Sequence, residues 1–274
     1  LGFISLFSMK INSNEGFGDA SLAVAVRRWY GAPPGSLLAD IERRLLTRFL
    51  PDLFGFHIVQ LGCHHVEDLL DASRVTHKVR IDLGHTLNAD ADMHCVEDAL
   101  PLQANSIDVL VLPHVLEFAH DAHRVLREAE RVLIGEGHLV ILGFNPWSFF
   151  GVRSLLTRWQ GRAPWHGRFI GTARVKDWLQ LLGFDVLHVE RGSYRPPSRS
   201  ARLNQHLEFM ERLGAFCWPL FGNIYVIVAR KRVEGLTPLR ASWRQRRRLV
   251  AASVIEPTTR APLRAPAGTD HHEH

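Results

Sequence analysis

The sequence predicts an α/β protein built on a mostly parallel sheet with helices on both faces. Two observations carry this. Short apolar runs recur along the chain, and segments with a 3.6-residue apolar period separate them. Glycines and prolines mark where several of the runs stop, as expected of buried strands that feed into turns.

The elements follow in order. Residues 9–35 are polar and Gly-rich, then aromatic at Trp29 and Tyr30, with a turn at Pro33-Pro34-Gly35. A helix is predicted from Ser36, its candidate cap, through Leu37, Leu38, Ile41, Leu45 and Leu46, and Pro51 breaks it. His57–Leu61 reads as a buried strand ending at Gly62, and Val66, Leu69 and Leu70 suggest a helix. Val79–Leu83 and Met93–Val96 are the second and third strands, and Ile107–Leu112 is the fourth, limited by Pro113. Between Asp121 and Gly135, the residues Val125, Leu126, Ala129, Val132 and Leu133 share one helical face. Asp121 can cap that helix and Gly135 can end it. His138–Phe144 is the next buried strand, stopped by Asn145-Pro146. A helix at Thr172–Leu182, a strand at Phe184–Glu190, a helix around Leu203–Leu213 and a strand at Asn223–Arg230 complete the pattern.

Composition narrows the class. The chain has 274 residues, 46% hydrophobic and 22% charged, an ordinary globular mixture with enough apolar material for a sizeable core. No apolar run reaches the length of a spanning helix. Three cysteines are too few for a disulfide framework, so a reducing, cytoplasmic setting is expected. Leu1–Phe7 is apolar but lacks a preceding basic region, so a signal peptide is not expected, and the first methionine at position 9 suggests a displaced start or a fragment. Charge is unevenly placed. Residues 1–228 hold 23 basic and 24 acidic side chains, whereas residues 229–264 hold 10 basic and 2 acidic. The organisation read from this is an N-terminal extension (1–35), a main domain (36–235) with an aromatic and basic insertion (149–170), and a basic tail (236–274). The tail is expected to be solvated, with nucleic acid as its alternative partner.

In an open parallel sheet, ligands bind beyond the carboxyl ends of the strands. That rule selects residues 60–66, 82–84, 112–118 and 143–148. The glycine at 62 permits a tight turn and a close backbone approach to a ligand. Asp82 lies 20 residues beyond it, the spacing at which nucleoside-binding sheets place a carboxylate on a ribose.

The stretch from Leu100-Pro101-Leu102 through Ser106–Glu117, His123–Glu128, Arg131–Leu133 and Gly135–Ile141 resembles class I S-adenosylmethionine-dependent methyltransferases of the quinone-methyltransferase-like type. Gly143–Ser148, Tyr194–Pro197 and Trp218–Gly222 are similar to the YafS-like bacterial subgroup. The resemblance implies a Rossmann-like sheet with one antiparallel strand, S-adenosylmethionine as cofactor, and methyl transfer to an acceptor. The family's first loop reads acid-x-Gly-x-Gly-x-Gly. Here Gln60 stands for the acid, Gly62 for the first glycine with Cys63 after it, and His64 and Val66 for the other two. The implied cofactor site is Gln60, Gly62, Cys63, His64, Asp82, Leu112 and Pro113. The slot that holds adenine in relatives falls at Val96, with Glu97 and Asp98 beside it.

Methyl transfer from a sulfonium expels a neutral leaving group, so orientation and a dry site matter more than acid catalysis. A base is needed only where the acceptor must lose a proton. His114, just past the fourth strand, is the candidate, with Glu117 three residues on. Asn145 and Trp147 are expected to line the acceptor pocket, and the insertion to cover it or to pack as a surface helix pair. The expected acceptor is a small molecule. The alternatives are a non-catalytic regulatory or interaction protein, motivated by His64 and Val66, and a nucleic-acid-associated enzyme, motivated by the basic tail. Cys63, His64, His65, His94 and Cys95 match no standard zinc spacing, and no metal is expected.

Overall fold

The structure is a computed structural model that describes residues 20–62, 69–83, 91–95, 99–157, 167–196, 210, 214 and 216–233. Its seven strands are β1 (His57–Leu61), β2 (His77–Leu83), β3 (Met93–Cys95), β4 (Ile107–Pro113), β5 (Leu133–Phe144), β6 (Phe184–Gly192) and β7 (Ile224–Lys231). They form one sheet in the order β3-β2-β1-β4-β5-β7-β6. The pairs from β3 to β5 are parallel, and β7 runs antiparallel to both β5 and β6. The central strands are apolar because both of their faces are covered: Val109, Leu110, Val111 and Leu112 of β4 have no exposed surface. Chain order jumps between the neighbours β1 and β4, which makes their carboxyl ends the switch point of the sheet.

The helices are α1 (Ala20–Tyr30), α2 (Gly35–Phe49), α3 (Val115–Phe118), α4 (Ala122–Val132), α5 (Phe149–Thr157) and α6 (Thr172–Leu181). Three depart from expectation. Helix α1 lies inside the predicted extension, and its Val26 and Tyr30 join the core of the sheet, so the packed domain begins before residue 36. Helix α2 opens two residues earlier than a Ser36 cap allows: Leu38 N–H already donates to the Pro34 carbonyl at 3.2 Å, and no side chain caps the helix. Helix α4 is capped as predicted, Asp121 Oδ1 accepting from the amides of His123 (2.9 Å) and Arg124 (3.3 Å). It ends before Gly135, however, because Leu133 pairs with Ile107 of β4 and begins β5.

The basic stretch that opens at residue 229 is partly absorbed by the sheet. Arg230 pairs with Glu136 at 3.0 Å, Lys231 with Glu130 at 2.9 Å, and Arg232 with Asp185. Lys231 Nζ also donates to the carbonyls of Glu130 (2.6 Å) and Leu133 (2.9 Å), satisfying acceptors at the end of α4. The chain divides into a unit of residues 1–234 and a second of residues 235–274, the latter wholly outside the described residues. Of the helix expected over Val66, Leu69 and Leu70, Val66 lies outside them and Leu69 and Leu70 form a turn; most of the helix expected around 203–213 also lies outside them. No described helix is long and apolar enough to cross a membrane.

Candidate functional site

At the exit of β1 the chain turns through Gly62, whose φ of +90° is a left-handed conformation that favours glycine. Its N–H donates to the Ile81 carbonyl of β2 at 2.7 Å, fixing the turn against the neighbouring strand. Gln60 is 3% exposed, and its Nε2 donates to the Gly62 carbonyl at 2.9 Å. Its Oε1 is buried and has no hydrogen-bond partner among the described residues. A buried acceptor of this kind costs stability unless something donates to it.

Asp82 sits on β2, one residue beyond the strand position that faces Leu61, and is 4% exposed. Its Oδ1 accepts the Leu83 N–H at 2.9 Å. Burial, and then the Asp82 charge, push the Cys95 thiol on β3 up to about 11. Asp92, another nearby acid, is committed elsewhere. Its Oδ2 accepts the Arg80 N–H at 2.8 Å, and its own N–H donates to the Arg80 carbonyl at 2.8 Å. Cys63, His64, Asp90 and the adenine slot at 96–98 lie outside the described residues.

At the exit of β4, Leu112 has no exposed surface and its side chain belongs to the core. That leaves the backbone of Leu112 and the ring of buried Pro113 at this edge. His114 follows with φ +54°, a left-handed conformation that is uncommon outside glycine. Its ring is wholly enclosed. Nε2 is 2.8 Å from Glu42 Oε1 of α2, and Nδ1 is 3.6 Å from Glu117 Oε1, within ion-pair range and past hydrogen-bond range. The Phe144 ring packs against it at 4.1 Å between centroids. Burial alone would lower the imidazole pKa, but the two carboxylates outweigh it and raise it to about 9. Glu117 is held in turn, its Oε1 accepting the Phe144 N–H at 2.6 Å. Gly143 permits that approach, since a Cβ there would lie 2.8 Å from Glu117 Oε1 and 2.3 Å from the Tyr225 hydroxyl oxygen. Tyr30 of α1 completes the cluster by donating to Glu42 at 3.3 Å.

This geometry corrects the expectation that His114 acts as a base on the acceptor. A ring with no exposed surface, set between two carboxylates, cannot touch one. Asn145 is likewise a clamp rather than a pocket wall. Its Nδ2 donates to the carbonyls of Leu220 (2.7 Å) and Gly222 (2.9 Å), and its Oδ1 accepts the Trp147 N–H at 3.2 Å. Its side chain is thereby spent on tying the end of β5 to the turn before β7. Trp147 is 75% exposed and lines a cavity of about 1300 Å³ beyond β5, with His120, Asp121, Arg124, Arg168 and Arg174. The Gly62 turn and Asp82 thus come together on neighbouring strands, while His114 and Asn145 are structural.

Glu42 went unmarked in the sequence although a signal exists. It interrupts the stripe Leu38, Leu45, Leu46 on the buried face of α2, and a carboxylate there requires a buried partner. The guanidinium groups around the cavity carry no such pattern, because α4, the segment before α6 and α6 itself each supply one.

A family model described as "Methyltransferase domain" matches residues 70–141. The chain is 37% identical over 218 residues to the Escherichia coli K12 protein YafS, itself described as uncharacterized, covering 78% of this chain and 84% of that one. A solved SAM-dependent methyltransferase from Thermotoga maritima superposes with a TM-score of 0.56 at 16% identity, over 78% of this chain and 98% of that one. The methyltransferase solved in complex with the Haloferax volcanii Trm112 methyltransferase activator gives 0.53 at 14% identity, over 78% and 97%. At these identities the two structures speak for the fold.

Proposed function

The chain belongs to the YafS-like class I S-adenosylmethionine-dependent methyltransferases, and on that premise we propose that it methylates a small-molecule acceptor at the carboxyl edge of its sheet. The observation that supports this site is the pairing, on the adjacent strands β1 and β2 next to the switch point, of a buried carboxylate and a buried amide oxygen that lacks a donor among the described residues. When bound, the cofactor supplies a methyl carbon on a positively charged sulfur, which departs as a neutral thioether. The residues fit such a group. Asp82 offers a carboxylate for two ribose hydroxyls. Gln60 Oε1 offers an acceptor to an ammonium group, and Gly62 brings the backbone close without a side chain between. Gln60 carries no charge, so it orients this group without the Coulombic attraction an acid would add.

His114 and Glu117 serve as positioning residues. They fix the exits of β4 and β5, between which the acceptor must be oriented. Among the described residues, no buried base is placed to take a proton from the acceptor, so the reading favours an acceptor atom that is nucleophilic as bound or that loses its proton to water. The purified protein, incubated with methyl-tritiated cofactor and a cell extract, tests the acceptor class by ultrafiltration. Label is expected in the low-mass filtrate. Label retained with RNA or protein would refute the small-molecule reading.

A further inference from the structure

The cavity of about 1300 Å³ takes part of its wall from Leu116 and Ala119, which follow β4, and from Pro146 and Trp147, which follow β5, so it lies at the carboxyl ends of these strands; neither Gln60 nor Asp82 lines it. Among its described lining residues, three guanidinium groups (Arg124, Arg168 and Arg174) meet one carboxylate, Asp121. Two of the guanidinium groups have neighbours that orient them, and the third residue is anchored by its backbone. Arg124 Nε is 3.6 Å from Asp121, Arg174 lies over the Trp178 ring at 5.9 Å, and the Arg168 N–H donates to the Glu117 carbonyl at 2.9 Å. Part of the remaining wall is apolar and open to solvent: Trp147 and Leu155 are 75% and 71% exposed, and Val152 is 55% exposed. Large apolar side chains clustered in one cleft mark a ligand site more often than chance exposure does. Guanidinium groups are suited to the paired oxygens of a carboxylate or phosphate.

We propose that this cavity binds an amphiphile with an oxyanion head, carboxylate or phosphate, and an apolar body, and that this is the class of the methyl acceptor. The head meets Arg168 and Arg174, and the body lies along Trp147, Val152 and Leu155. This rests on the reading of the carboxyl edge as the site of methyl transfer. Arg168 links the two, because its backbone is fastened to the α3 residue that also orients His114.

Calorimetric titration of the full chain tests it, with dodecanoate, dodecyl phosphate, dodecanol and inorganic phosphate each below any micelle-forming concentration. Saturable binding of dodecanoate or dodecyl phosphate is expected, and whichever is tighter identifies the head. Dodecanol and inorganic phosphate should each bind at least about tenfold more weakly. Arg168→Ala and Arg174→Ala should each weaken the anionic probe by about tenfold, and Trp147→Ala should weaken both dodecyl probes. Equal binding of dodecanol and dodecanoate, or indifference to both arginine substitutions, would overturn the proposal. So would association only with vesicles of anionic phospholipid, which would make the cleft a membrane contact. S-adenosylhomocysteine is titrated in parallel. If it binds while no amphiphile does, the proposal fails and the methyl-transfer site stands. If an amphiphile binds and it does not, the cavity is confirmed and the methyl-transfer reading falls.

Discussion

Glu42 of α2 and His114 at the exit of β4 stand 2.8 Å apart, and neither exposes any side-chain surface. The pair joins a helix that precedes the sheet to the strand end where chain order switches. Removing one partner leaves the other charge buried without its counterpart. Glu42→Ala should therefore lower stability by about 3–5 kcal/mol, read from urea unfolding followed by circular dichroism. An unchanged midpoint would show that the pair holds nothing together.

The same pair gives stability a direction in pH. The folded His114 titrates near 9, above its ordinary value of 6.5. A pKa raised on folding contributes stability that is complete below the unfolded value and is lost as pH rises through the folded one. The urea midpoint of the wild type should fall between about pH 6.5 and 9.5, and His114→Gln should flatten that slope. A midpoint that rises over this window would reverse the assignment.

Asp82→Ala should weaken S-adenosylhomocysteine at least about tenfold, with an unchanged circular dichroism spectrum. The Asp82 carboxylate accepts the amide of its own neighbour Leu83, a contact within β2, and the spectrum checks that the variant is folded. Retained affinity would move the ribose contact to another acid, and Asp92 is already engaged by the Arg80 backbone.

Asn145→Ala separates clamp from pocket. Two carbonyls and one amide lose their partner, which should cost about 2–3 kcal/mol in thermal unfolding. A fully stable variant with altered acceptor preference would instead return Asn145 to the pocket wall.

The sheet was legible because buried parallel strands are written as apolar runs. His57–Leu61 matches β1 residue for residue, and β2 to β7 differ from expectation chiefly at their ends. Helix α1 was hidden because its short run of Leu22, Val26, Trp29 and Tyr30 follows Gly-rich sequence without a cap signal. Gly62 and Asp82 were readable as a turn at the end of β1 and an acid on the neighbouring strand β2. The role of His114 was not, because sequence gives its place after β4 but not the carboxylate 72 residues earlier that encloses it. The cationic cavity was equally hidden, since only folding gathers Arg124, Arg168 and Arg174.

Titration of the wild-type chain with S-adenosylhomocysteine in a calorimeter tests the occupation of the Gln60–Asp82 edge most directly. A saturable heat with one site per chain, lost on Asp82→Ala, is the predicted result. No heat with ligand at about 1 mM would contradict it.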